Sequence, residues 1–198
     1  GYAVLQVNYR GSTGYGNAYL EALKGEWGRI DTEDCISAVA ALTAMKRADA
    51  EKCVIMGGSA GGLTVLNALT DYPGVFKAGI ARYPVTNLFT LEEETHKFEA
   101  HYLHSLVGPL PKARKKYLDR SPLFKADKIK DKLLLLQGDE DVVVPVAQPQ
   151  AVFDKLQELG IPVEMKVYNG EGHGFRLAAT FEDMYPRIER FIQESLGL

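Results

Sequence analysis

A strand-sized apolar run, residues 53–56, leads without a break into Gly57-Gly58-Ser59-Ala60-Gly61-Gly62 and then into a helical stretch, residues 63–70. Small residues around a single serine let the backbone turn within a few positions, as it must when a helix follows a strand immediately. The alternation recurs. Apolar runs at 53–56, 78–81, 132–136 and 163–168 alternate with stretches of helical period at 32–45, 63–70, 146–159 and 178–196. Near-continuous apolar strands separated by helices describe a mostly parallel sheet with helices on both faces, so the fold class is α/β. Residues 2–9 read as a further strand, ahead of a glycine-rich turn, Arg10-Gly11-Ser12-Thr13-Gly14-Tyr15-Gly16. Asp31 stands where it caps the helix of 32–45. Residues 85–118 read as mostly helical and polar, broken at Gly108-Pro109 and Pro111. No repeat or linker divides the chain, and residues 1–198 are read as one domain.

At 198 residues and 46% hydrophobic content the chain is able to bury a core. With 23 basic against 26 acidic residues, a net charge of −3 offers no electrostatic ground for nucleic acid or an anionic membrane as partner. Two cysteines, Cys35 and Cys53, are too few for a disulfide scaffold and lie in no zinc-ligand spacing; both read as buried and inert. No apolar run is long enough to cross a bilayer. No metal or organic cofactor is implied. The chain opens on Gly1 without a leader and reads as an excised piece, with the cytoplasm as the working compartment and a homo-oligomer left open.

Gly57-x-Ser59-x-Gly61 at a strand-to-helix junction is the nucleophile-elbow pattern, in which a sharp turn projects the serine hydroxyl above the sheet. The N-terminus of the following helix aims backbone N–H groups at a developing oxyanion. A serine needs a base. Of four histidines, His96, His101 and His104 cluster in a polar helical stretch and read as surface or cap residues. His173 lies in Gly170-Glu171-Gly172-His173-Gly174-Phe175, just after the last strand, at the edge where parallel sheets collect their active sites. A carboxylate must orient that imidazole. Asp139, Glu140 and Asp141 follow the run 132–136, and position alone does not choose between Asp139 and Asp141.

Taken together, Asn8-Tyr9-Arg10-Gly11-Ser12-Thr13-Gly14-Tyr15-Gly16, Trp27-Gly28, Gly57-Gly58-Ser59-Ala60-Gly61-Gly62, Gly138-Asp139-Glu140-Asp141 with Val144-Pro145 and Gln148, and the Gly170 to Phe175 segment resemble the catalytic domain of the prolyl oligopeptidase family of serine peptidases. The similarity covers nearly the whole chain and implies an α/β-hydrolase fold. In that family the acid stands three residues after the glycine with Val-Pro beyond it, which selects Asp141. The resemblance makes Ser59 the nucleophile, His173 the general base and acid, Asp141 its partner and the Ala60 N–H one oxyanion donor. It also makes Val85, Leu88 and Phe89 candidates for the substrate pocket. Substrates implied are short peptides or acylated amino acids, with carboxylesters as the alternative and a binding or assembly module as the non-enzymatic one.

The second oxyanion donor of this fold comes from a His-Gly-Gly loop, which the sequence lacks. By the resemblance that loop, the first strands of the sheet and a β-propeller precede Gly1, and this stretch alone is expected to be weakly active or inactive. Residues 2–9 correspond to the fourth hydrolase strand, normally separated from the next by the third. They are therefore expected to lack a neighbour or to move beside 53–56. The run Lys112-Ala113-Arg114-Lys115-Lys116 reads as a solvated face, Glu92-Glu93-Glu94 as a charged helix start, and Arg10 as a brace for the glycine-rich turn with no partner that the sequence names.

Overall fold

Leu133, Leu134, Leu135 and Leu136 are all buried, which requires apolar cover on both faces of one strand because successive side chains point opposite ways. The computed structural model, which describes residues 1–94 and 102–198, supplies that cover. Its elements are α1 (Asn17–Glu21), α2 (Ile30–Ala44), β1 (Val54–Gly58), α3 (Ala60–Asp71), β2 (Ala78–Arg82), α4 (Leu88–Glu94), α5 (Tyr102–Leu106), α6 (Arg114–Arg120), β3 (Lys132–Gly138), α7 (Ala147–Glu158), β4 (Val163–Tyr168) and α8 (Ala178–Leu196). The strands form one parallel sheet in the order β1-β2-β3-β4. Leu133 and Leu135 meet Val65, Leu66 and Leu69 of α3 and Val152 and Leu156 of α7. Leu134 and Leu136 meet Met184, Ile188 and Phe191 of α8. Both faces are thus helix-covered. Among the described residues no helix is long and apolar enough to cross a membrane.

Every strand ends at the same rim, because Gly58, Arg82 and Leu136 are in register and Gly138 pairs with Tyr168. A third apolar cluster sits beside that rim: Trp27, Leu63, Val85, Leu88, Leu103, Leu106, Val107, Tyr117 and Val144. Residues 85–94 and 102–118 therefore bury more apolar surface than their sequence suggests. Three short helices each contribute one or two apolar positions, too few for a visible period but enough to close a core. The acidic run ends α4 instead of starting it.

Residues 2–9 form no strand. Val4 is 91% exposed, and a gap of about 1460 Å³ lies between this segment and β1, lined by Val4, Val7, Val39, Val54 and Met56 among others. Among the described residues no ladder reaches the segment, and without one its N–H and C=O groups gain nothing from an extended conformation over contact with water. It does not move in beside β1.

Asp31 is not a cap. The helix begins at Ile30, and Asp31, 1% exposed, accepts hydrogen bonds from the Gly28 N–H at 2.8 Å and the Thr64 hydroxyl at 2.8 Å, joining α2 to α3. Burial pushes its carboxyl above the ordinary range, against the opposing pull of those hydrogen bonds. Cys35 and Cys53 are half-buried, and desolvation raises both thiols, Cys35 to about 11, so they stay protonated at neutral pH. Arg10 has a partner: its guanidinium grips Asp34 at 2.7 and 2.9 Å, tying the glycine-rich turn to α2.

Candidate active site

Ser59 occupies the single position between β1 and α3, with φ 55° and ψ −118°, a conformation that non-glycine residues seldom adopt. Two bonds hold it there. Its N–H donates to the Arg82 carbonyl at 2.9 Å and its carbonyl accepts from Leu63 N–H at 3.1 Å. Gly57 has to be glycine, since a Cβ there would overlap the Gly61 carbonyl as the helix folds back over the strand. The hydroxyl that results lies 2.7 Å from His173 Nε2. Ala60 is the first residue of the twelve-residue α3, so its N–H has no acceptor within the helix and lies at the positive end of the helix dipole.

His173 reaches the serine from the loop after β4, and that loop is clamped from several sides. Asp139 Oδ1 accepts the Gly170 N–H at 2.7 Å, and Glu140 N–H donates to the Glu171 carbonyl at 2.9 Å. Glu171, 1% exposed, accepts the N–H groups of Arg176 and Leu177, each at 2.9 Å for its shorter bond. Burial alone raises its pKa, but the Thr180 hydroxyl and those two amides outweigh it and hold the carboxyl below the usual range.

Asp141 lies on the turn after β3, its carboxylate wholly buried beside a partly exposed imidazole. Oδ2 is 2.9 Å from His173 Nδ1 and accepts from Gln137 Nε2 at 3.1 Å, while Oδ1 accepts the Val143 and Val144 N–H groups at 2.9 and 2.8 Å. Every lone-pair direction is used. A carboxylate so held orients the Nδ1–H tautomer, leaving the Nε2 lone pair toward the serine.

The three carboxyl-rim residues singled out in the sequence are therefore brought together, and Asp139 and Asp141 separate by geometry: Asp141 meets the imidazole and Asp139 braces the backbone behind it. Val85 and Leu88 are buried beside Ala60 and Leu63, whereas Phe89 keeps exposed surface. The Phe89 ring lies 5.2 Å from Tyr117 and 6.0 Å from Phe124, with the Arg114 guanidinium 5.3 Å from its centroid. His104 pairs with Glu92 at 2.9 Å; His96 and His101 lie outside the described residues. In the basic run, Lys115 pairs with Asp119 and Lys116 donates to the Gly25 carbonyl. Sequence reasoning passed over Glu171 and Gln137. A carboxylate between two glycines in the histidine loop, and an amide directly before Gly138, were the available signals.

The whole chain, residues 1–198, matches the model of the prolyl oligopeptidase family. It is 36% identical over 202 residues to dipeptidyl aminopeptidase BIII of Pseudoxanthomonas mexicana, and 34% identical over 203 residues to dipeptidyl peptidase family member 6 of Caenorhabditis elegans. All of this chain aligns in both cases, yet it spans only 29% and 27% of those proteins. Among solved structures, a puromycin-hydrolyzing peptidase of Mycobacterium tuberculosis superposes with a TM-score of 0.93 at 42% identity, over 96% of this chain and 29% of that one. Full-length coverage by the family model, with an α/β-hydrolase sheet beneath it, makes this chain a member of the prolyl oligopeptidase family.

Proposed function

We propose that residues 1–198 form one α/β-hydrolase unit that carries the catalytic centre of a serine peptidase, with Ser59 as nucleophile, His173 as general base and acid, and Asp141 as the group that orients it. One observation carries the reading: a hydroxyl, an imidazole and a buried carboxylate stand in series at 2.7 and 2.9 Å, each on a different strand end. Attack of Ser59 Oγ on a carbonyl carbon passes the hydroxyl proton to His173 Nε2, and the imidazolium so formed faces the Asp141 carboxylate. The negative charge that develops on the carbonyl oxygen is received by the Ala60 N–H at the head of α3. His173 then returns the proton to the leaving amine, the acyl-enzyme remains on Ser59, and water repeats the sequence to release the acid. Short peptides and aminoacyl amides are the favoured substrates, in keeping with relatives named for dipeptidyl aminopeptidase and puromycin-hydrolyzing activity. In the whole protein, a propeller domain restricts entry to small peptides.

A fluorophosphonate probe tests the reading. The full-length protein should be labelled, and Ser59→Ala should abolish both labelling and turnover of aminoacyl p-nitroanilides, a loss on the order of a million-fold in kcat. Absence of labelling in the full-length protein would leave a fold kept for binding. Labelling with turnover of p-nitrophenyl esters alone would make it an esterase.

A further inference from the structure

Tyr83 takes no part in the chemistry above, yet its backbone is strained. It follows β2 directly with φ 37°, a left-handed conformation that bulky residues avoid and that costs about 1–3 kcal/mol. Its N–H holds the turn by donating to the Leu136 carbonyl at 2.7 Å. That backbone delivers the ring between the two segments that carry Ser59 and His173. On one side it meets the His173 imidazole, centroids 4.9 Å apart at 60°, and Phe175, at 5.2 Å and 86°. On the other it covers Gly58, where an added Cβ would stand 2.9 Å from Tyr83 Cε2.

We propose that Tyr83 is a positioning residue for His173: its ring, braced against Gly58 and Phe175, blocks rotation of the imidazole and keeps Nε2 aimed at Ser59 Oγ. The inference rests on the serine-peptidase reading. An imidazole free to turn breaks the contacts to Ser59 and Asp141 together, since both depend on one ring orientation. The ring and not the phenol hydroxyl is what the position needs.

The test uses the full-length protein. Tyr83→Phe should keep kcat within about threefold, whereas Tyr83→Leu should lower kcat about 100-fold with KM nearly unchanged, the scale expected when a reacting group is misplaced by about an ångström. The low-field proton signal of the His173 Nδ1–H to Asp141 bond should persist in Tyr83→Phe and vanish in Tyr83→Leu, a response that a purely structural role would not produce in a folded variant. Gly58→Ala pushes the ring from its other side. It should cost activity and the same signal, and it stays informative should Tyr83→Leu not fold. Full activity with an intact signal in folded Tyr83→Leu, or in Gly58→Ala, overturns the proposal. Failure of the wild-type full-length protein to react with fluorophosphonate overturns instead the reading beneath it, so the two failures are told apart.

Discussion

At the carboxyl rim of the sheet, the segments that carry Ser59, Asp141 and His173 are each anchored by hydrogen bonds, whereas along the outer margin of β1 residues 2–9 run mostly exposed and form no strand. Both regions are rich in strand-forming or turn-forming residues, so local preference does not separate them. What separates them is where the partners come from. At the rim the acceptors and donors lie within a few residues or on the adjoining strand end: Arg82 for Ser59, Val143 and Val144 for Asp141, Asp139 for the loop of His173. At the margin the segment depends on a ladder partner, and none reaches it. The geometry of the candidate site is a property of strand ends and is kept beside an edge strand, β1, whose outer side residues 2–9 do not pair with.

Beyond loss of the serine itself, the largest expected effect sharpens the comparison within the rim. Asp141→Asn should lower kcat/KM about 10,000-fold, because an amide in place of the carboxylate favours the wrong imidazole tautomer and no longer stabilises the imidazolium. Asp139→Asn leaves an acceptor for the Gly170 N–H and should cost less than about tenfold. Equal losses in steady-state assays of the two variants would break the division of roles between the two aspartates.

Next in size is a contrast in stability. Leu134 is fully buried between β-sheet neighbours and α8, so Leu134→Ala should cost about 2–5 kcal/mol in urea unfolding. Val4→Ala removes a side chain that is 91% exposed and should stay within about 0.5 kcal/mol. A cost above about 2 kcal/mol for Val4→Ala would mean that the margin is packed in solution after all.

The rim could be read from sequence for the same reason that it is locally held. Ser59, Asp141 and His173 each stand in a short glycine-containing turn after an apolar run, and those turns keep their meaning whatever else the sheet contains. Residues 2–9 have the composition of a strand, but pairing is a tertiary fact that composition does not encode. Asp31 looked like a cap because a carboxylate just ahead of a helical stretch has that signature. Besides the nearby Gly28 N–H it binds Thr64, which is 33 residues away and visible only once α2 packs on α3. Of the cluster around Leu88, Leu103 and Tyr117 only the stretch from Val85 to Phe89 stands out in the sequence, because α4, α5 and α6 are too short to display a period.

Two buried carboxylates, one at the rim and one behind α3, carry the comparison to its finest point, because their pKa shifts have opposite signs. Glu171 is held below its unfolded value by three donors, so its contribution is present above the unfolded pKa and is lost as pH falls through the folded one. Glu171→Gln should therefore cost about 1–3 kcal/mol at neutral pH, with the gap to wild type closing toward acid. Asp31 is raised by burial, so its contribution is present at low pH and is lost as pH rises through the folded value. In Asp31→Asn the amide oxygen still accepts from Gly28, while the amide donates to Thr64, whose hydroxyl also reaches the Ala60 carbonyl at 3.2 Å. That variant should gain on wild type with rising pH, by about 1 kcal/mol or about 2–4 °C in Tm. Thermal unfolding of both variants from acid to neutral pH should give two difference curves of opposite slope against wild type. Parallel curves would mean that the loop carrying His173 and the seam between α2 and α3 titrate alike, and that the rim has no electrostatic anchoring of its own.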